Sequence, residues 1–215
     1  VSSQTSQHTL AGLYVILDPS IRPERPLSEV LQAAAEAGCK LFQYRNKAGS
    51  MNEQYAEALP LRKLAADLGV TFIVNDRCDL ALAVAADGVH LGQEDLPYAE
   101  ARKLLGPEKI IGLSTHHAGH VRHAATVQPD YIGFGPIFKP ASKEDHDPVV
   151  GLDGLRQVRS LTSLPLFAIG GIQLEHVEDV RRAGADGVAV ISAVLRAPEV
   201  SKAVEQLIAH MTSPA

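Results

Sequence analysis

The residues of this chain best equipped for chemistry stand just after short apolar runs. Asn75-Asp76 closes one such run, and the next passes through His90 to Gly92-Gln93-Glu94-Asp95. Two carboxylates at the ends of neighbouring strands, with no adjacent Cys or clustered His, suit a hard, oxygen-loving cation such as Mg2+. An earlier run ends in Gln43-Tyr44-Arg45-Asn46-Lys47, and a later one is followed by a loop holding Lys139, Ser142 and Lys143. Arg45, Lys47 and Lys143 would surround the same mouth with positive charge. Carboxylates, a divalent ion and cations together suit a diphosphate, whose oxygens the ion bridges while the cations neutralise the rest. Spacing alone leaves a plainer reading equally open, because strand-end Asp residues also cap helices and the charges could be surface ion pairs.

Near the C-terminus, Gly170-Gly171 and Ile191-Ser192 end two further runs. Glycines in one loop and a small polar residue in the next let backbone N–H groups approach a phosphate, and a following helix N-terminus adds partial positive charge. The plain alternative is that the glycines merely turn the chain. Other candidates are weaker. The spacing of His116 and His120 could suit a metal, yet no third ligand is evident and a solvated helix start is the better reading. Asp145-His146-Asp147 reads as a solvated loop or a cover for the site. Ser114-Thr115-His116 lacks the flanking glycines of a hydrolase nucleophile elbow.

Eight elements must position these residues. Apolar, often β-branched runs recur about every 25 residues at Leu13–Leu17, Leu41–Arg45, Thr71–Asp76, Gly88–Gly92, Ile110–Thr115, Tyr131–Gly135, Leu166–Gly171 and Gly187–Ser192. Between them lie amphipathic stretches, one with its stripe at Leu27, Val30, Leu31, Ala34 and Ala35, another at Leu59, Leu61, Leu64, Ala65 and Leu68. Continuous apolar strands alternating with such helices predict a parallel sheet covered by helices. Gly38, Gly69, Gly106 and Gly184 stand where helices must end in a left-handed residue. Eight nearly even strand–helix units predict a single α/β domain over residues 1–215, a closed (β/α)8 TIM barrel with residues 1–11 as a flexible leading segment. Its active site would lie at the C-terminal ends of the strands. A doubly wound open sheet is the alternative.

Composition narrows the function. The chain has 215 residues, with 46% hydrophobic and 21% charged, and 20 Lys and Arg against 25 Asp and Glu give a net charge of −5. A mildly acidic chain without a basic run has no electrostatic grip on nucleic acid, and with 5% aromatics and no Trp it offers little for base stacking. The longest unbroken apolar run, Leu80–Ala86, is far too short to span a membrane. Cys39 and Cys78 are too few for a disulfide framework and read as small buried hydrophobes. Val1–Thr9 lacks the order of a secretion signal. The expectation is a cytoplasmic enzyme or small-molecule binder.

In this order, the strand-end residues resemble the thiamine phosphate synthase (thiamine-phosphate pyrophosphorylase) family from Leu13-Tyr14 to the last helix. The resemblance is carried by Gln43-Tyr44-Arg45-Asn46-Lys47, Val74-Asn75-Asp76, Gly88 to Asp95, Ile111-Gly112-Leu113-Ser114, Gly135-Pro136-Ile137-Phe138, Ser142-Lys143, Ala168 to Ile172 and Gly184 to Ser192. It implies a transferase that condenses 4-amino-5-hydroxymethyl-2-methylpyrimidine diphosphate with 4-methyl-5-hydroxyethylthiazole phosphate, or its carboxylate, giving thiamine phosphate and diphosphate. By the same resemblance, Asp76 and Asp95 hold Mg2+, and Arg45, Lys47 and Lys143 act on the diphosphate with Asn75, Ser114 and Ser142 beside them. Gln43, Tyr14 and His90 line the pyrimidine pocket, while Gly171, Ile191 and Ser192 take the thiazole phosphate. Relatives are often homodimers, which carries over as an expectation.

One departure matters. The family's Pro-Thr-x-Thr/Ser-Lys loop reads Lys139-Pro140-Ala141-Ser142-Lys143 here, so Pro140 removes a hydroxyl and an N–H. Use of the thiazole is expected to be weakened or offset by Lys139, and Pro140→Thr is expected to lower its apparent Michaelis constant. Tyr44, where the family commonly has Leu, is a smaller departure, expected to pack against a neighbouring strand. A thiazole tautomerase of the same fold, using His116 as acid and base, is the rival enzyme; such enzymes tend to lose the Asn-Asp and Gly-Gln-x-Asp pieces that this chain keeps. A non-catalytic phosphate-ligand binder is the other alternative, and it would not need both Asp76 and Asp95.

Overall fold

Glycine and aspartate punctuation shapes the architecture. In the computed structural model, which describes residues 10–139 and 148–212, strand β1 (Gly12–Leu17) leads to helix α1 (Leu27–Glu36), and β2 (Leu41–Tyr44) to α2 (Met51–Asp67). The alternation continues through β3 (Thr71–Asn75), α3 (Cys78–Ala83), β4 (Gly88–Leu91), α4 (Tyr98–Leu105), β5 (Ile110–Thr115), α5 (Ala118–Val127), β6 (Tyr131–Phe134) and α6 (Gly151–Arg159). It ends with β7 (Leu166–Ile169), α7 (Val177–Arg182), β8 (Gly187–Val190), the short α8 (Ser192–Leu195) and α9 (Val200–Thr212). All neighbouring strands are parallel, and β8 pairs with β1, closing the barrel. The predicted (β/α)8 barrel is thus the observed one. Gly38, Gly69, Gly106 and Gly184 all have positive φ at helix ends, as their spacing predicts. Of the leading segment 1–11, residues 1–9 lie outside the described residues, and Leu10 packs against the barrel interior.

Two cores follow from the two-residue period of the strands. Outward-facing Val15, Leu17, Phe42, Phe72, Val74 and Val89 pack under the helices. Inward-facing Tyr14, Ile16, Leu41, Ile73, Tyr131, Phe167 and Ala189 fill the barrel. Large rings fit inside because glycines face them. A Cβ on Gly112 would stand 2.1 Å from Tyr131 Cζ, and one on Gly187 would stand 2.4 Å from a Phe167 ring carbon. Tyr14, Tyr131 and Phe167 then meet edge to face, with centroids 5.3–5.8 Å apart.

The helix α1 stripe is buried as its spacing predicts. On α2 the buried residues are Gln54, Ala58, Leu61 and Ala65, whereas Leu59, Leu64 and Leu68 are half-buried at the flanks. Cys39 and Cys78 are buried and unpaired.

A repeated clamp closes the N-terminal end of the barrel. Asp87, Asp130 and Asp186 each precede an even-numbered strand and accept a backbone N–H from the start of the odd strand before it, at Phe72, Ile111 and Leu166 (2.7–2.8 Å). Each also pairs with an Arg from a neighbouring helix, Arg62, Arg102 or Arg159 (2.7–3.0 Å). Among the described residues, no helix is long and apolar enough to cross a membrane.

Candidate active site

At the opposite end, the strand termini surround one cavity of about 510 Å³. It is lined by Tyr14, Gln43, Arg45, Lys47, Asn75, Asp76, His90, Asp95, Ser114, Gly171, Ile191 and Ser192, twelve residues that sequence reasoning singles out. Ser142 and Lys143, with Pro140 and the cluster Asp145-His146-Asp147, lie outside the described residues.

The loop carrying Arg45 and Lys47 is held from behind. Asn46 Oδ1 accepts the N–H groups of Ala48 and Gly49, both at 3.1 Å. The buried Gln54 amide donates to the carbonyls of Asn46 (3.0 Å) and Gly49 (2.9 Å). Ser50 and Glu53 form a reciprocal capping box at the start of α2. Tyr44 faces outward, away from the cavity, in register beside Leu17 and Val74 of the neighbouring strands, and its hydroxyl donates to Glu57 on α2 (2.6 Å). Arg45 forms an ion pair with the buried Asp18, which also accepts from Ser20 N (3.0 Å) and Ser20 Oγ (2.6 Å).

Asp76 follows β3 in the left-handed region (φ 63°), where Asp is tolerated at some cost. Its N–H donates to the carbonyl of His90 (2.8 Å), and its carboxylate meets Lys47 Nζ at 3.0 Å. Asp95 turns back to accept the Gly92 N–H at 2.6 Å. Burial, and then the adjoining Asp76 carboxylate, push the Asp95 carboxyl above its ordinary value against the pull of that N–H and of Lys47. Two adjoining carboxylates, one of them reluctant to ionise beside the other, are a donor set that a cation would relieve. Among the described residues, no group of three or more His, Cys, Asp or Glu is gathered as a complete metal cage. The pair itself is a donor set suited to Mg2+, which commonly uses one or two carboxylates with water and substrate phosphate completing its shell.

The cavity floor is a chain of hydrogen bonds. Gln43 Nε2 donates to Tyr14 Oη (2.7 Å), Tyr14 and Tyr131 share a bond of 2.8 Å, and His90 links Tyr131 (3.0 Å at Nδ1) to Ser114 Oγ (2.9 Å at Nε2). Burial lowers the His90 pKa from 6.5 to about 4 and raises those of Tyr14 and Tyr131, so all three rings are neutral near pH 7.

Across the mouth, Gly170 and Gly171 have φ of 96° and 65°. A Cβ on Gly170 would stand 2.5 Å from Pro136 Cβ, and one on Gly171 2.6 Å from the Lys139 carbonyl, so both need glycine. Helix α8 begins at Ser192, leaving its first N–H groups without partners inside the helix.

Several further residues line the cavity. Asp18 follows β1 directly and obeys the same rule as Asp76. Tyr131 begins its strand and reaches the floor only by pointing inward. His116 and His120, read from the sequence as part of a solvated helix start, instead line the cavity, because His116 directly follows β5 and His120 stands one helical turn on; His116 Nδ1 lies 2.8 Å from the Gly135 carbonyl, and only His117 caps α5 as an exposed helix start.

Residues 13–194 match the family model described as thiamine monophosphate synthase. A thiamine-phosphate synthase of Chloroflexus aurantiacus is 47% identical over 195 residues, 91% of this chain and 90% of the relative. One from Moorella thermoacetica is 45% identical, covering 91% and 93%. A solved thiamine phosphate pyrophosphorylase from Pyrococcus furiosus superposes with a TM-score of 0.83 at 38% identity, covering 94% and 95%.

Proposed function

Because this chain belongs to the thiamine monophosphate synthase family, we propose that it joins the aminopyrimidine methyl diphosphate to the thiazole phosphate, forming thiamine phosphate and diphosphate. The observation that carries the reading at the level of residues is the adjoining Asp76–Asp95 pair, bridged to Lys47 at 3.0 Å and facing the glycine-lined rim of the same cavity.

The reaction breaks the bond between the pyrimidine methylene and a diphosphate oxygen, whose electron pair leaves with the diphosphate. The thiazole nitrogen then gives its lone pair to the methylene carbon. The electron-rich aminopyrimidine can bear the positive charge in between, so no nucleophilic side chain is required. Arg45 and Lys47 bind the departing oxygens, with Lys143 assigned the same role from the sequence, and so favour charge that grows as the bond breaks. Asp76 and Asp95 would hold Mg2+, which when bound neutralises the leaving diphosphate. The inward-facing floor, from Gln43 through His90 to Ser114, orients the ring; the bond from His90 gives Ser114 this role in place of the one beside the diphosphate that the resemblance implies. Gly171, Ile191 and Ser192 offer backbone and hydroxyl donors to the thiazole phosphate, aligning its nitrogen with the methylene. Cytoplasmic residence and a homodimer belong to the same proposal; light scattering of the purified protein checks the assembly.

The deciding experiment mixes protein, Mg2+ and both substrates and oxidises the product to fluorescent thiochrome. Signal that requires Mg2+ and falls about 10²- to 10³-fold in Asp95→Asn is expected. A folded protein giving no signal would refute the activity, and an unchanged variant would refute the metal assignment.

A further inference from the structure

The floor of the cavity is a directional wire. Tyr14 and Tyr131 are buried, and each hydroxyl has one proton to place. Gln43 Nε2 donates to Tyr14 Oη, so the Tyr14 proton has Tyr131 Oη as its acceptor at 2.8 Å. Tyr131 must then pass its own proton to His90 Nδ1 at 3.0 Å, which puts the His90 proton on Nε2, facing Ser114 Oγ at 2.9 Å. The opposite order would aim Tyr131 at Tyr14 and strand a buried Tyr14 proton without an acceptor, an unfavourable arrangement. Ser114, already an acceptor from His90, keeps its hydroxyl proton for the cavity that it lines.

We infer that Tyr131 is a positioning residue that fixes the Nε2-protonated tautomer of His90 and thereby makes Ser114 a hydrogen-bond donor toward the ligand. At the other end, Gln43 spends an N–H on Tyr14 and leaves its Oε1 as an acceptor. The floor therefore offers an acceptor and a donor as a linked pair, suited to a heteroaromatic ring bearing an amino group and an unprotonated ring nitrogen. Reversing the wire at either end reverses both. This deepens the proposed use of an aminopyrimidine substrate and rests on it for the ligand, whereas the tautomer belongs to the substrate-free protein.

The test is a long-range 1H–15N correlation spectrum of histidine-labelled protein at neutral pH without substrate, with His90→Gln assigning the signal. An unprotonated Nδ1 and a protonated Nε2 are expected for His90, and the single tautomer is expected to be lost in Tyr131→Phe. Tyr14→Phe, which cuts the wire one link earlier, supplies an independent variant. In the thiochrome assay, Tyr131→Phe should raise KM for the pyrimidine diphosphate about tenfold, the value of one hydrogen bond, with kcat little changed. Ser114→Ala should do the same, and the double variant should lose no more. A His90 protonated at Nδ1, or a Tyr131→Phe protein with the wild-type tautomer, would overturn the inference whether or not the protein makes thiamine phosphate.

Discussion

His90 makes stability depend on pH in a way that can be worked out in advance. It is enclosed in the barrel, and burial lowers its pKa from 6.5 to about 4, opposed in part by the Asp76 charge. The folded pKa is depressed, so the neutral ring's contribution is fully present above the unfolded value and is lost as pH falls from 6.5 toward 4. At pH 5 the unfolded imidazole is almost fully protonated and about a tenth of the folded one is, a loss of about 2 kcal/mol relative to pH 7. Urea unfolding of wild type and His90→Gln at both pH values isolates the effect, because each protein is compared with itself. Wild type should lose about 2 kcal/mol more than the variant, roughly 1 M in the urea midpoint. Parallel losses in the two proteins would show that His90 is not held neutral by burial.

Three further outcomes follow from the geometry. Burial and the adjoining Asp76 carboxylate hold the Asp95 carboxyl above its ordinary range, so removing its charge relieves the pair: metal-free Asp95→Asn should melt no lower than wild type near pH 7 while losing the rise in Tm that Mg2+ with diphosphate gives wild type; a large fall in metal-free Tm would contradict this. Gly112→Ala places a carbon 2.1 Å from the Tyr131 ring and should cost about 2–3 kcal/mol by chemical denaturation, and unchanged stability would refute the packing account. Asp18→Asn leaves Arg45 without its buried carboxylate and should cost about 2 kcal/mol and raise KM for the diphosphate substrate; wild-type values of both would show that Asp18 does not hold Arg45.

The barrel is legible in the sequence because its signals are local. Each strand is a short apolar run, and Gly38, Gly69, Gly106 and Gly184 mark helix ends by a backbone requirement that any reader can apply. The charged rim is legible for the same reason, since Arg45 and Asp76 immediately follow their strands and Asp95 stands four residues beyond the end of β4. Asp18 follows β1 as closely as Asp76 follows β3 and could be found by the same rule. Tyr131 could not, because its role depends on Gly112 in the preceding strand, β5, vacating space for its ring. Tyr44 shows the value of the two-residue period: Gln43 and Arg45 face inward, so the residue between them must face a helix. The half-buried flank of α2 shows the limit, since Leu59, Leu64 and Leu68 carry the right residue type without facing the sheet squarely.

The clamps at Asp87, Asp130 and Asp186 bind β3 to β4, β5 to β6 and β7 to β8, each with an Arg from a flanking helix. The pair β1–β2 is tied at the other end instead, by Asp18 and Arg45 at the mouth. Three quarters of the barrel thus carry their fastening at the base, and the remaining quarter is fastened within the site itself. A ligand that engages Arg45 therefore acts on the latch of that quarter, so occupancy of the site should register as slower amide exchange in β1 and β2 before it registers elsewhere.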